Sequence, residues 1–101
     1  AAESRRKFTL FVMFVRDLSK DVVFLTGASR GIGRAIAVSL AAAGYAKFAF
    51  VARSAQDLRG TVEECRKVNA KVHCLMFAID VCSDADMQKA IETTVSVFGG
   101  S

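Results

Sequence analysis

Three glycines between an apolar run and a helical pattern constrain this chain more than any other feature. Val22-Val23-Phe24-Leu25 is short, apolar and half β-branched, as expected for a buried strand. It ends in Thr26-Gly27. Beyond it, Ile32, Ala35, Ile36, Ser39 or Leu40, and Ala43 recur at helical spacing, with Gly44 placed to cap the helix. Gly27, Gly31 and Gly33 thus lie in a turn that leads from a strand into a helix.

The alternation then repeats. Ala46–Ala52 reads as a second strand and Val72–Ile79 as a third. Ser54-x-x-Asp57 opens a second helix with the apolar stripe Leu58, Val62, Cys65 and Val68. Ser83-x-x-Asp86 opens a third, with Met87, Ile91, Val95 and Phe98 on one face. Strands alternating with helices predict a parallel sheet with right-handed crossovers. A hydrophobic share of 52% suits strands buried on both faces and excludes a disordered chain. At 101 residues, the chain is the size of one small domain.

The glycine turn has a definite chemistry. Backbone N–H groups at such a turn, together with the dipole of the following helix, can hold a dinucleotide pyrophosphate. Gly27 permits the tight turn. Gly31 lets the backbone approach the phosphates, and Gly33 lets the helix pack closely on the strand.

Thr26-Gly27-Ala28-Ser29-Arg30-Gly31-Ile32-Gly33, with its G-x-x-x-G-x-G spacing, resembles the cofactor signature of the short-chain dehydrogenase/reductase family. It is not a P-loop, because no Gly-Lys-Ser/Thr follows. The expected fold class is therefore α/β: a Rossmann-like, doubly wound parallel sheet in incomplete form. It would comprise the first three βα units in strand order 3-2-1 over residues 20–101. The resemblance implies hydride transfer between a nicotinamide cofactor and a small-molecule carbonyl or alcohol, by a homo-oligomer when intact. Gly27, Ser29, Arg30, Gly31, Ile32 and Gly33 would line the pyrophosphate side.

The cofactor can be narrowed further. An acidic residue at the end of the second strand would hold the adenosine ribose 2′-OH of NAD. Here Ala52 takes that place, and Arg53 and Ser54 follow. A guanidinium suits a 2′-phosphate, and Arg30 could reach it from the glycine turn. Basic residues at these two places imply NADP(H) in the family, and NADPH usually serves carbonyl reduction. The resemblance also assigns Asp80 to the adenine amino group and the Val81 backbone N–H to a ring nitrogen.

Family members work with a Tyr-x-x-x-Lys pair and an upstream Ser, the Tyr acting as general acid/base. An Asn-Asn-Ala-Gly segment completes their cofactor site. Neither motif is present. Tyr45 is the sole tyrosine and position 49 is Ala, while Asn69 is the sole asparagine. This chain alone is predicted to be inactive, with no catalytic residue of its own. The first residue is Ala and the last are Phe98-Gly99-Gly100-Ser101, so the chain reads as a fragment. The alternative, from a different class, is a non-catalytic nucleotide-binding or interaction module. Ser29, His73 and Asp80 are hydrolase ingredients, but a strand between His73 and Asp80 holds them roughly 23 Å apart.

Composition excludes other classes. The net charge is +4, but the cations are scattered apart from Arg5-Arg6-Lys7, and no aromatic-interleaved basic patch points to nucleic acid. Cys65, Cys74 and Cys82 make an odd count without C-x-x-C pairing, which fits a reducing compartment. With the single His73 they are a poor metal set.

Residues 1–19 read as an N-terminal extension or an extra strand. The apolar run Phe8–Val15 is too short to span a bilayer, so no membrane association is expected. The expected compartment is the cytoplasm, or an organelle if residues 1–19 are the remnant of a targeting segment. A sheet of three strands alone would leave the first as an open apolar edge. That predicts marginal stability, poor solubility or dimerisation through the edge.

Overall fold

The computed structural model of the chain describes residues 11–15, 22–27 and 31–99, with the backbone alone for residues 11–15. In chain order the elements are β1 (Phe11–Val15), β2 (Val22–Thr26), α1 (Gly31–Ala42), β3 (Lys47–Ala52), α2 (Ala55–Val68), β4 (His73–Ala78) and α3 (Asp84–Gly99). Four strands form one sheet in the order β1-β2-β3-β4. β2, β3 and β4 pair in parallel, with Val22 opposite Lys47 and Lys47 opposite His73. β1 runs antiparallel to β2, with Phe11 opposite Thr26 and Val15 opposite Val22.

The sheet differs from the expected one. The three parallel strands run 1-2-3 from the β1 side, where 3-2-1 had been expected. Both orders set the second strand between the first and third. The substantive difference is β1, which covers the edge of β2 that was expected to be open. Its pairing satisfies the backbone groups of that edge, removing the reason to expect association through it.

Both faces of β2 and β3 are covered, because their apolar residues point alternately to each side, whereas the edge strand β4 is partly exposed. Val23, Leu25, Phe48 and Phe50 meet Ala37 and Ala41 of α1 and Leu58, Val62 and Cys65 of α2. The rings of Phe48 and Phe50 lie 5.3 Å apart on this face. Phe24, Ala49 and Val51 meet Ala90 of α3 on the other, and Val22 meets Phe98.

The helix faces need correction. In α1 the buried stripe is Gly33, Ala37 and Ala41 rather than Ile32, Ala35, Ile36, Leu40 and Ala43, and Ile32 is 74% exposed. Phe48 and Phe50 fill the space beneath this helix, so its small residues face the sheet. In α2, Thr61 joins Leu58, Val62 and Cys65, while the terminal Val68 is exposed. In α3 the buried stripe is Ala90, Thr94 and Phe98, and Ile91 and Val95 are largely exposed. The Thr94 hydroxyl donates to the Ala90 carbonyl at 2.8 Å, which allows a polar residue inside.

The helix ends follow the sequence closely. Gly44 adopts φ 110°, a left-handed value that suits glycine, and its N–H donates to the Ala41 carbonyl. The next N–H, that of Tyr45, donates to Leu40, completing the cap. Ser54 and Ser83 each accept a hydrogen bond from the backbone N–H three residues on, as helix N-caps. α1 and α2 are tied together by Arg34. Its Nε donates to Thr61 Oγ1 at 2.9 Å and its Nη2 to the Asp57 carbonyl at 2.8 Å. Gly60 makes room for it, since a Cβ there would lie 2.8 Å from Nη2.

Candidate functional site

The carboxyl ends of β2, β3 and β4 carry the polar residues singled out by the sequence. After Thr26, Gly27 takes φ 74°, and its N–H donates to the Val51 carbonyl at 3.0 Å. That bond ties the turn to the end of β3. Gly31 opens α1 at φ 64°, and beyond its chain neighbours and its own helix no atom of the described residues lies within 4 Å of where its Cβ would be. A side chain there would meet backbone strain and, with a ligand present, would fill its space. Ile32 is exposed beside it and Gly33 is buried one step on. Ser29 and Arg30 lie outside the described residues, so the structure places neither.

The first turn of α1 holds no acidic residue, whereas α2 has Asp57 and α3 has Asp84 and Asp86 in theirs. The positive end of the α1 dipole is therefore free of a neutralising carboxylate from its own first turn.

Arg53 and Asp80 follow β3 and β4, and their side chains meet. Arg53 Nη2 lies 3.5 Å from Asp80 Oδ1, with the side chains 80% and 46% exposed. The same Oδ1 accepts the Cys82 backbone N–H at 2.9 Å. That hydrogen bond is the main influence holding the Asp80 carboxyl below the usual carboxylate range; desolvation opposes it, and the Arg53 charge lowers it by less. Ser54 Oγ accepts the Asp57 N–H at 3.1 Å, which leaves its hydroxyl proton to donate. The Val81 N–H donates to none of the described residues.

Two features were not singled out from the sequence. Thr26 Oγ1 is buried at the end of β2 with no hydrogen-bond partner among the described residues. A hydroxyl closing an otherwise apolar strand was the available signal. The Cys82 N–H that fixes Asp80 is a backbone group, and nothing in the sequence marks it. The remaining candidates stay apart. His73 opens β4 while Asp80 lies beyond its end, so they cannot share a hydrolytic site. Among the described residues no group of three His, Cys, Asp or Glu could hold a metal, and no helix is long and apolar enough to cross a membrane.

The arrangement fits a dinucleotide: Gly27 and Gly31 at positive φ where a strand gives way to a helix, a cation after the second parallel strand, and after the third Asp80 and a Val81 N–H with no partner among the described residues. Comparison with known proteins identifies the family. The sequence profile of the family described as short chain dehydrogenase matches residues 21–100. An 11-beta-hydroxysteroid dehydrogenase of Pinus massoniana is 34% identical over 93 residues, covering 92% of this chain and 26% of that protein. The human hydroxysteroid dehydrogenase-like protein 2 is 40% identical over 90 residues, covering 82% of this chain and 21% of that protein. Among solved structures, a Serratia marcescens short-chain dehydrogenase/reductase superposes with a TM-score of 0.63 at 36% identity, over 75% of this chain and 30% of that one. A Sinorhizobium meliloti counterpart gives 0.65 at 26% identity, over 75% and 34%. The chain thus spans about a quarter of the length of these curated relatives.

Proposed function

The chain belongs to the short-chain dehydrogenase/reductase family, whose members bind nicotinamide cofactors, and from that premise we propose that it is the NADP(H)-binding part of an oxidoreductase. The observation that carries the cofactor choice is the end of β3. Ala52 stands where an acidic residue would hold an NAD ribose, and the exposed Arg53 guanidinium follows it.

In this reading Gly27, Ser29, Arg30, Gly31, Ile32 and Gly33 bind the pyrophosphate side. Arg53 and Ser54 hold the 2′-phosphate, with Arg30 reaching it from the turn. The Asp80 carboxylate accepts the adenine amino group, and the Val81 N–H donates to the ring. NADP(H), when bound, supplies or accepts the hydride. These residues bind and orient the cofactor, and none of them exchanges a proton with substrate. For the complete protein we propose reduction of a carbonyl. The names of the relatives make a hydroxysteroid or its ketone the first substrate class to try.

Thermal unfolding of the 101-residue chain tests the binding step. NADPH at a hundred times its dissociation constant should stabilise the fold by about 2.7 kcal/mol, and NADH at equal concentration by less. A larger response to NADH would remove the Arg53 argument. No response to any nucleotide from a folded chain would remove the binding reading altogether. NADPH oxidation by the complete protein, over a panel of ketones that includes ketosteroids, tests the activity.

A further inference from the structure

We propose that a basic cleft at the amino end of the sheet, opposite the glycine turn, is a second ligand site that takes a small organic phosphate. Lys47 opens β3 and Ala52 closes it, so the cleft and the candidate cofactor site are separated by five strand steps, roughly 17 Å. The cleft has a volume of about 630 Å³, and Tyr45, Lys47, Lys71 and His73 are on its wall. A neighbouring cleft of about 460 Å³ shares Lys47 and His73 and adds Arg66 and Phe98. Clefts of this size hold small organic ligands and exceed what a bare inorganic ion needs.

Among the described residues, no acidic side chain lines either cleft. Lys47, Lys71, His73 and Arg66 converge on the two clefts, and none is within ion-pair distance of a carboxylate among the described residues. Lys67, one residue from Arg66, is by contrast paired with Glu64 at 3.1 Å. Lys47 and His73 are register partners on adjacent parallel strands, so their side chains leave the same face roughly 5 Å apart. A phosphate bound between them could accept hydrogen bonds from both the ammonium and the imidazole N–H. Lys47 is steered further by the Phe98 ring, with Nζ 5.8 Å from its centroid.

A simpler origin for these cations is the set of helix C-termini at this end of the sheet, those of α1, α2 and α3, which attract positive charge. At the ends of α1 and α2 some of those carbonyls are already served, the Asn69 N–H donating to the Cys65 carbonyl of α2. Gly44 and Tyr45 N–H groups cap α1, and Asn69 Nδ2 donates to the Ala41 and Tyr45 carbonyls at 3.1 and 3.3 Å. Two amines and an imidazole match a phosphate dianion with several acceptor oxygens better than a single carboxylate. The half-buried Tyr45 supplies a wall for the organic body.

The test is an NMR titration of the full chain with phenyl phosphate, following the His73 ring and the Lys47 and Lys71 amides. Saturable shifts confined to these residues are expected. Lys71→Ala and Lys47→Ala should each weaken binding at least about fivefold, and Lys67→Ala should leave it unchanged. Lys71 is exposed and its side chain makes no hydrogen bond or ion pair with the described residues, so its variant stays informative if Lys47→Ala unfolds. Inorganic phosphate should bind more weakly than phenyl phosphate, and equal binding contradicts the role given to Tyr45. Unsaturable shifts, shifts centred on Gly27 and Arg53, or equal losses in the Lys67 and Lys71 variants would overturn the proposal.

Discussion

Arg53 Nη2 lies 3.5 Å from Asp80 Oδ1, so residues that follow two neighbouring parallel strands meet across the candidate cofactor site. Both side chains are substantially exposed, and exposed ion pairs add little to stability. Arg53→Ala should therefore leave the melting midpoint of the free chain close to unchanged, while lowering its response to NADPH more than its response to NADH. Thermal unfolding with each nucleotide checks this. An equal loss for both would mean that Arg53 does not read the 2′-phosphate.

Asp80 should titrate below the ordinary carboxylate value of 3.8. Its folded-state pKa is depressed, so its contribution to stability is present above the unfolded value and is lost as pH falls through the folded one. The Cys82 N–H is the larger cause and Arg53 a lesser one. Arg53→Ala should raise the pKa only part of the way back. Side-chain carboxyl NMR measures it, and an Asp80 that titrates at or above 3.8 contradicts the geometry.

The three thiols should separate by reactivity. Burial pushes Cys65 up to about 11 and Cys74 up to about 12, whereas Cys82 is exposed. At pH 8 the first two hold a thiolate fraction on the order of one in a thousand or less. Brief iodoacetamide treatment of the native chain should give one adduct, at Cys82, and three in denaturant. Because Cys82 fixes Asp80, NADPH should slow that modification. Rapid native labelling of Cys65 or Cys74, read by peptide mass spectrometry, would contradict the packing.

Two buried threonines should respond oppositely to valine. Thr26 Oγ1 has no partner among the described residues, so Thr26→Val should be neutral or slightly stabilising. Thr61 Oγ1 accepts from Arg34 Nε at 2.9 Å and donates to the Asp57 carbonyl at 3.4 Å. Thr61→Val should cost about 1–2 kcal/mol, because a charged donor loses its acceptor. Denaturant unfolding of both variants checks the pair, and a Thr26 loss as large as that of Thr61 would contradict it.

The elements were legible because their signals are local. Alternating apolar runs, Ser54 and Ser83 as N-caps and Gly44 as a C-cap each mark an element within a few residues. The helix faces were less legible. A period of 3.6 allows either Ile32, Ile36 and Ala43 or Gly33, Ala37 and Ala41 to face the sheet, and bulk favours the wrong stripe. The choice depends on Phe48 and Phe50, which come later in the chain. β1 was only one of several readings of residues 1–19, since its partner is set by the sheet and not by its own pattern. At the candidate site, the spacing of Gly27, Gly31 and Gly33 and the position of Arg53 were readable. The meeting of Arg53 with Asp80 was not, because it requires the register of β3 with β4.

The central claim is that this chain holds NADP(H) at the carboxyl ends of β2, β3 and β4. An amide NMR titration of the chain with NADP⁺, with NAD⁺ as comparison, tests it most directly. The account predicts saturable shifts at Gly27, Gly31, Arg53, Asp80 and Val81, tighter for NADP⁺ than for NAD⁺. Shifts located elsewhere, or an equal or stronger response to NAD⁺, would contradict it.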